Sequence, residues 1–189
     1  MLDPLDIQAL VRPQVEAVEE LRRRVREVEL RRGRGWQPIG SGSVSASGEV
    51  LIPVPAGYSA LKVRLWGSTS STTGLFAQLN GVTAGGTYEQ AWTRYGTAGT
   101  PTGDQENTAG QFGVGEWQNR AWACGAKILL FGTGSSVRKS WRAWSWRRNS
   151  ARQESWGVTA DNMAATTEVR VFPAAGDMTA NWTLEGFRA

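Results

Sequence analysis

The sequence predicts a mainly β protein: a single antiparallel β-sandwich over residues 36 to 189, preceded by a short, self-associating α-helix within residues 1 to 35. Three observations predict it. Apolar residues recur at intervals of three and four near the N-terminus, the period changes to two beyond Trp36, and Gly, Ser and Thr punctuate everything that follows. A length of 189 residues suits one buried core with an appendage. With 40% hydrophobic and 20% charged residues, and 7 prolines beside 23 glycines, the composition is that of a folded chain.

The helix comes first. In residues 14 to 32, QVEAVEELRRRVREVELRR, the side chains Val18, Leu21, Val25 and Val28 form one apolar stripe between charges. Extended backward, the register places Val11, Val18 and Val25 at heptad a positions and Leu21 and Val28 at d positions, with Gln14 interrupting it. Pro13 suits a first helical turn and Gly33 and Gly35 end the pattern, giving about twenty residues and roughly 30 Å. So narrow a stripe suits pairing with copies of itself, and Val11, Val18, Leu21, Val25 and Val28 are the candidate oligomerisation residues. The alternative is a solvated helix packed on the sandwich of its own chain, because two and a half heptads make a short coiled coil. Upstream, Leu2, Leu5, Ile7 and Leu10 form an apolar tip broken by prolines and aspartates. It reads either as a plug that docks into a larger assembly or as a terminus folded back on the bundle.

Beyond GRGWQPIGSGSVSASG, eight strands are predicted, at 49–54, 60–66, 75–80, 88–95, 126–132, 137–148, 167–173 and 181–187. Their faces follow from the alternation. Leu61, Val63 and Leu65 point one way and Lys62 and Arg64 the other, and Val169 with Val171 opposes Arg170. Residues 96 to 116, GTAGTPTGDQENTAGQFGVGE, read as a long polar loop, exposed for function or ordered against a neighbouring subunit.

Charge and chemistry narrow the function. The net charge is +4, unevenly spread: residues 138 to 152 hold Arg138, Lys139, Arg142, Arg147, Arg148 and Arg152 with no acid. A lone cysteine, Cys124, excludes an intramolecular disulfide framework and reads as a small core residue. The absence of histidine removes Ser-His-Asp and Cys-His arrangements and imidazole metal ligands. Asp104, Glu106, Glu116, Glu154, Asp161 and Asp177 sit in no recognisable catalytic motif, and no phosphate loop, dinucleotide fingerprint or EF-hand pattern occurs. A non-enzyme without cofactor or metal is expected. No secretory leader and no run of eighteen apolar residues is present, so cytoplasmic synthesis without membrane insertion is expected.

Ten tryptophans are the compositional anomaly. Trp66, Trp92 and Trp182 are expected to fill the sandwich, whereas Trp141, Trp144 and Trp146 share a strand with the basic cluster. Within that strand Arg142, Trp144, Trp146 and Arg148 share a face, with Trp141 and Arg147 opposite. Such a face could stack on sugar rings or bases, or pack against the core or a neighbouring subunit. A patch confined to one strand, on a chain of modest charge, disfavours nucleic acid as the partner.

The segment 166 to 189, TTEVRVFPAAGDMTANWTLEGFRA, resembles the end of β-sandwich domains in tailed-bacteriophage appendage proteins, through Val169, Val171, Phe172, Gly176, Met178, Thr179, Leu184, Gly186 and Phe187. PAGYSALKVRLWGS at 55 to 68 and AQLNG at 77 to 81 resemble the early strands of that family. The resemblance implies a jelly-roll-like domain, usually trimeric, carried on virion fibres, spikes or tail tips. By this reading the chain is a virion structural protein that docks through Leu2, Leu5, Ile7 and Leu10 to other virion proteins, forms a homo-oligomer, and displays its sandwich toward a host-surface glycan or protein. The alternatives are a lectin-like module or depolymerase subunit, and a capsid decoration protein.

Overall fold

The computed structural model describes residues 35–95, 101–108, 110–118, 124–147 and 150–188. The predicted helix, its stripe Val11, Val18, Leu21, Val25 and Val28, and the tip Leu2, Leu5, Ile7 and Leu10 lie outside the described residues.

Twelve strands are present among the described residues: β1 (Gly35–Ser47), β2 (Val50–Pro53), β3 (Ala60–Thr69), β4 (Thr73–Leu79), β5 (Tyr88–Tyr95), β6 (Pro101–Thr108), β7 (Phe112–Trp117), β8 (Cys124–Phe131), β9 (Ser140–Arg147), β10 (Ser150–Thr159), β11 (Glu168–Pro173) and β12 (Met178–Arg188). They form two antiparallel sheets, one in the order β1-β12-β3-β8-β9-β10-β5-β6 and the other β2-β11-β4-β7. The expected mainly β sandwich is therefore present. Two hairpins, β5–β6 and β9–β10, join each other through the β10–β5 ladder and extend the large sheet at one end. Without them eight strands remain; renumbered in chain order, they run 1-8-3-6 in the large sheet and 2-7-4-5 in the small one.

The core lies where the alternation places it. Leu61, Val63 and Leu65 of β3, Ile128 and Leu130 of β8, Leu75 and Leu79 of β4, and Val169 and Val171 of β11 are at most 1% exposed. Each such side chain contributes about 1.5–3 kcal/mol of burial free energy. Lys62 and Arg64 emerge on the outer face, where both pair with Glu185 of β12. The hairpin extension is tied in by an aromatic cluster: Phe112 of β7 stacks on Trp141 of β9 at 4.5 Å, and Tyr88 of β5 meets the two rings at 5.5 and 5.7 Å.

The structure corrects several expectations. The stretch 96 to 116 is not one loop, because it contains β6 and β7. β6 holds its place by backbone pairing with β5 at the end of the sheet, a role that needs no apolar pattern. β7 accommodates an extra residue opposite β4, a bulge between Leu75 and Phe76 that disturbs its alternation. GRGWQPIGSGSVSASG, for which no strand was expected, is largely β1; its glycines at 40 and 42 leave room for the Trp182 ring, which closes that end of the core. Trp66, expected in the core, is 40% exposed on the outer face.

Candidate functional site

Two surfaces of the large sheet concentrate aromatic and polar side chains, one on each face. On β9 the alternation sends Trp141 and Ala143 into the core, and Arg142, Trp144 and Trp146 outward. The ladders then set these residues in cross-strand rows: Trp66, Gly125 and Trp146; Lys127, Trp144 and Glu154; Leu129, Arg142 and Trp156. Trp146 lies across Gly125 and is 49% exposed, and Trp156 is 44% exposed. Trp144 is flanked by two cations, the Arg142 guanidinium carbon 5.0 Å and the Lys127 Nζ 5.2 Å from its ring centroid. Arg142 Nε in turn donates to the Glu154 carboxylate, which is buried while the guanidinium stays open to solvent. A shallow depression of about 510 Å³ lies between Arg142, Glu154, Trp156 and Thr93. The structure thus brings Arg142, Trp144 and Trp146 together as expected, and Arg148 lies outside the described residues. Trp141 is 2% exposed and belongs to the core, though it also contributes to the floor of this depression.

The second surface lies on the inner side of the extension. The edge strand β7 crosses over β9 and β10: Gly115 sits against Ser145, and the Ser155 hydroxyl donates to the Gly113 carbonyl. Its reach toward β5 is a hydrogen bond from the Gly113 N–H to Gln90 Oε1 at 2.7 Å. Beyond that bond the inward side chains Gln90 and Trp92 of β5 and Gln153 of β10 face the start of β4 across a groove of about 370 Å³, whose walls include Thr73, Phe76 and Glu116. Glu116 forms an ion pair with Arg94 at 2.6 Å, so the two charges at this end of the groove offset one another.

Several other chemistry-bearing groups among the described residues are engaged in packing or pairing. Glu116 of β7, in the small sheet, and Glu154 of β10, in the large one, are each in an ion pair. Cys124 is buried, and its Sγ accepts the Gln118 N–H at 3.1 Å, in keeping with its expected core role. Lys139 is fully buried with its ammonium donating to the carbonyls of Gly132 and Ser135, and burial lowers its pKa below the ordinary lysine value. Burial raises the Tyr88 phenol above its ordinary value, while the Leu79 N–H that donates to its oxygen pulls the other way.

Sequence reasoning missed the groove. Trp92 was expected in the core, Glu116 in a loop, and Gln90 and Gln153 carried no expectation. The signal was in YEQAWTRY: one face of that strand reads Gln90, Trp92 and Arg94, which a closed apolar core does not accept.

No protein-family model matches the chain, and neither does any curated protein. Among solved structures it has weak similarity to the Caenorhabditis elegans galectin LEC-6, at 15% identity and a TM-score of 0.34, covering 75% of this chain and 98% of the galectin. Sucrose-6-phosphate hydrolase from Lactobacillus gasseri matches at 12% identity and a TM-score of 0.33, over 80% of this chain and 28% of the hydrolase. The GH43 protein BlXynB from Bacillus licheniformis matches at 13% identity and a TM-score of 0.34, over 76% of this chain and 30% of its own.

Proposed function

We propose that this chain is a virion appendage protein of a tailed bacteriophage, a fibre, spike or tip component that docks through residues 1 to 35 and projects a trimeric β-sandwich. One observation carries the reading. The segments resembling phage appendage domains, 55 to 68, 77 to 81 and 166 to 189, supply nearly all of β3 with its partner β12 in the large sheet, and the end of β4 with its partner β11 in the small one. The resemblance therefore falls on the framework and not on the inserted hairpins. The 1-8-3-6 and 2-7-4-5 strand orders support a jelly roll, two interleaved Greek keys of eight strands.

A helix as short as the one expected within residues 1 to 35 would need help to hold a trimer, and the sandwich offers a second contact. Trp66, Phe131, Trp146 and Trp156 are each at least 40% exposed on one sheet face, an aromatic content suited to a subunit interface. Arg64, Lys127 and Arg142 beside Glu154 and Glu185 supply a charged surround. Solution mass tests the assembly: the intact chain should be a trimer at micromolar concentration, and residues 36 to 189 a weaker one. A monomeric intact chain would sink the oligomer, and a purified particle without density for the chain would sink the virion assignment.

A further inference from the structure

We propose that the groove between β7 and the overhanging strands β5 and β10 is a binding site for a neutral saccharide. The inference deepens the proposed function by naming what the projected sandwich would bind, and rests on that reading for its biological target, though not for the binding itself.

The groove is a product of the inserted hairpins. They carry the large sheet past β7, the edge of the small sheet, which covers Tyr88 and reaches Gln90 but leaves Trp92 and Arg94 on the inner face of β5 partly exposed. That face carries Gln90 and Trp92, with Arg94 beyond them, instead of the aliphatic residues that fill the same face of β3 and β8. At about 370 Å³ the space lies at the small end of ligand pockets and suits one or two sugar rings.

Its polar groups are few and already oriented. Because Gly113 N–H can only donate, Gln90 must accept with Oε1, and the amide NH2 is the end left for a ligand. Gln153 brings a second amide, Thr73 a hydroxyl, and the wall includes the Glu116 carboxylate, which Arg94 pairs at 2.6 Å. A pyranose presents this combination in reverse: an apolar C–H face that fits the half-buried Trp92 indole, and a rim of hydroxyls that both donate and accept. Charge decides the class. Among the described residues, Arg94 at this end of the groove is matched at 2.6 Å by the Glu116 carboxylate, so a phosphate or a polyanion would gain little from it and a neutral ring loses nothing.

The test uses the intact chain with free glucose, galactose, rhamnose and N-acetylglucosamine at millimolar concentration, read by saturation-transfer NMR. At least one sugar is expected to receive saturation from the protein. Trp92→Ala should weaken that sugar by roughly tenfold or more, while Trp92→Phe, which keeps a stacking face, should weaken it less. Gln153→Ala is the second variant should Trp92→Ala fail to fold, and it too should reduce the transfer. Trp146→Ala, on the opposite sheet face, should leave it unchanged. Absence of transfer to all four sugars, transfer undiminished in both Trp92→Ala and Gln153→Ala, or loss in Trp146→Ala instead would each overturn the site. A monomeric chain that still binds through Trp92 supports the site while the trimer fails; a trimer that binds none of the sugars overturns the site alone.

Discussion

Gly115 of β7 rests against Ser145 of β9 so closely that a methyl group on Gly115 would fall 1.7 Å from the Ser145 Oγ and 2.3 Å from its Cβ. The backbone there also has φ +150°, a conformation that residues with a side chain rarely adopt. Both effects oppose any substitution, and the Ser145 Cβ, anchored to its strand, cannot move aside. Gly115→Ala is therefore expected to cost about 3 kcal/mol, combining overpacking with backbone strain. Urea denaturation measures it. A loss below about 0.5 kcal/mol, the scatter of ordinary surface changes, would mean that the sheets do not meet at this point.

Tyr88 predicts the alkaline behaviour of the fold. Its phenol is fully buried among Phe112 and Trp141, with a pKa raised above the ordinary value of 10.0. Below pH 10 the phenol is neutral in both states and contributes no pH dependence. Above it the unfolded chain loses the proton first, so stability falls as pH rises, by at most about 1.4 kcal/mol per unit. Tyr88→Phe should remove that slope. At neutral pH it should cost about 1–2 kcal/mol, because the buried Leu79 N–H loses its phenolic acceptor. An unchanged alkaline slope in the variant would assign the effect to another group.

How much of this was legible depends on what holds each strand. β3, β8 and β11 bury aliphatic residues on one face, so their alternation is written in the sequence, and β5 matched its expected limits of 88 and 95. β6 and β10 belong to the extension, where backbone ladders and polar neighbours replace an apolar face, and such strands leave no period-two hydrophobic signal. Trp66 is the more instructive error. Its parity matches Lys62 and Arg64, which already marked the outer face; the expectation that tryptophan fills cores overrode a pattern that was correct. The groove was illegible for a different reason. It exists only because β7 covers β5 no further than Gln90, a relation between strands distant in sequence.

Cys124 predicts a silent thiol. It is 3% exposed, at the start of β8, and the Gln118 N–H lies against its sulfur. A thiol-disulfide reagent must reach the sulfur before it can react, so the folded chain should remain unlabelled over minutes and take up label once guanidinium unfolds it. Prompt labelling in native buffer would instead mean that the β7–β8 edge opens readily.

The last prediction concerns a buried charge. Lys139 is 0% exposed, and its ammonium ties the carbonyls of Gly132 and Ser135 while its backbone pairs with Thr159. Lys139→Met keeps the length of the side chain but leaves two carbonyls without their donor, which should cost about 2 kcal/mol at pH 7. The pH dependence separates this role from simple packing. Because burial lowers the folded pKa below the ordinary 10.5, the unfolded chain holds the proton more tightly. Wild-type stability attributable to Lys139 therefore rises as pH climbs from the folded pKa toward 10.5, then levels off. The gap between wild type and Lys139→Met should widen over that range; Tyr88 titrates in both chains and cancels from the difference. A gap independent of pH between neutrality and pH 10.5 would mean that the ammonium reaches water in the folded state.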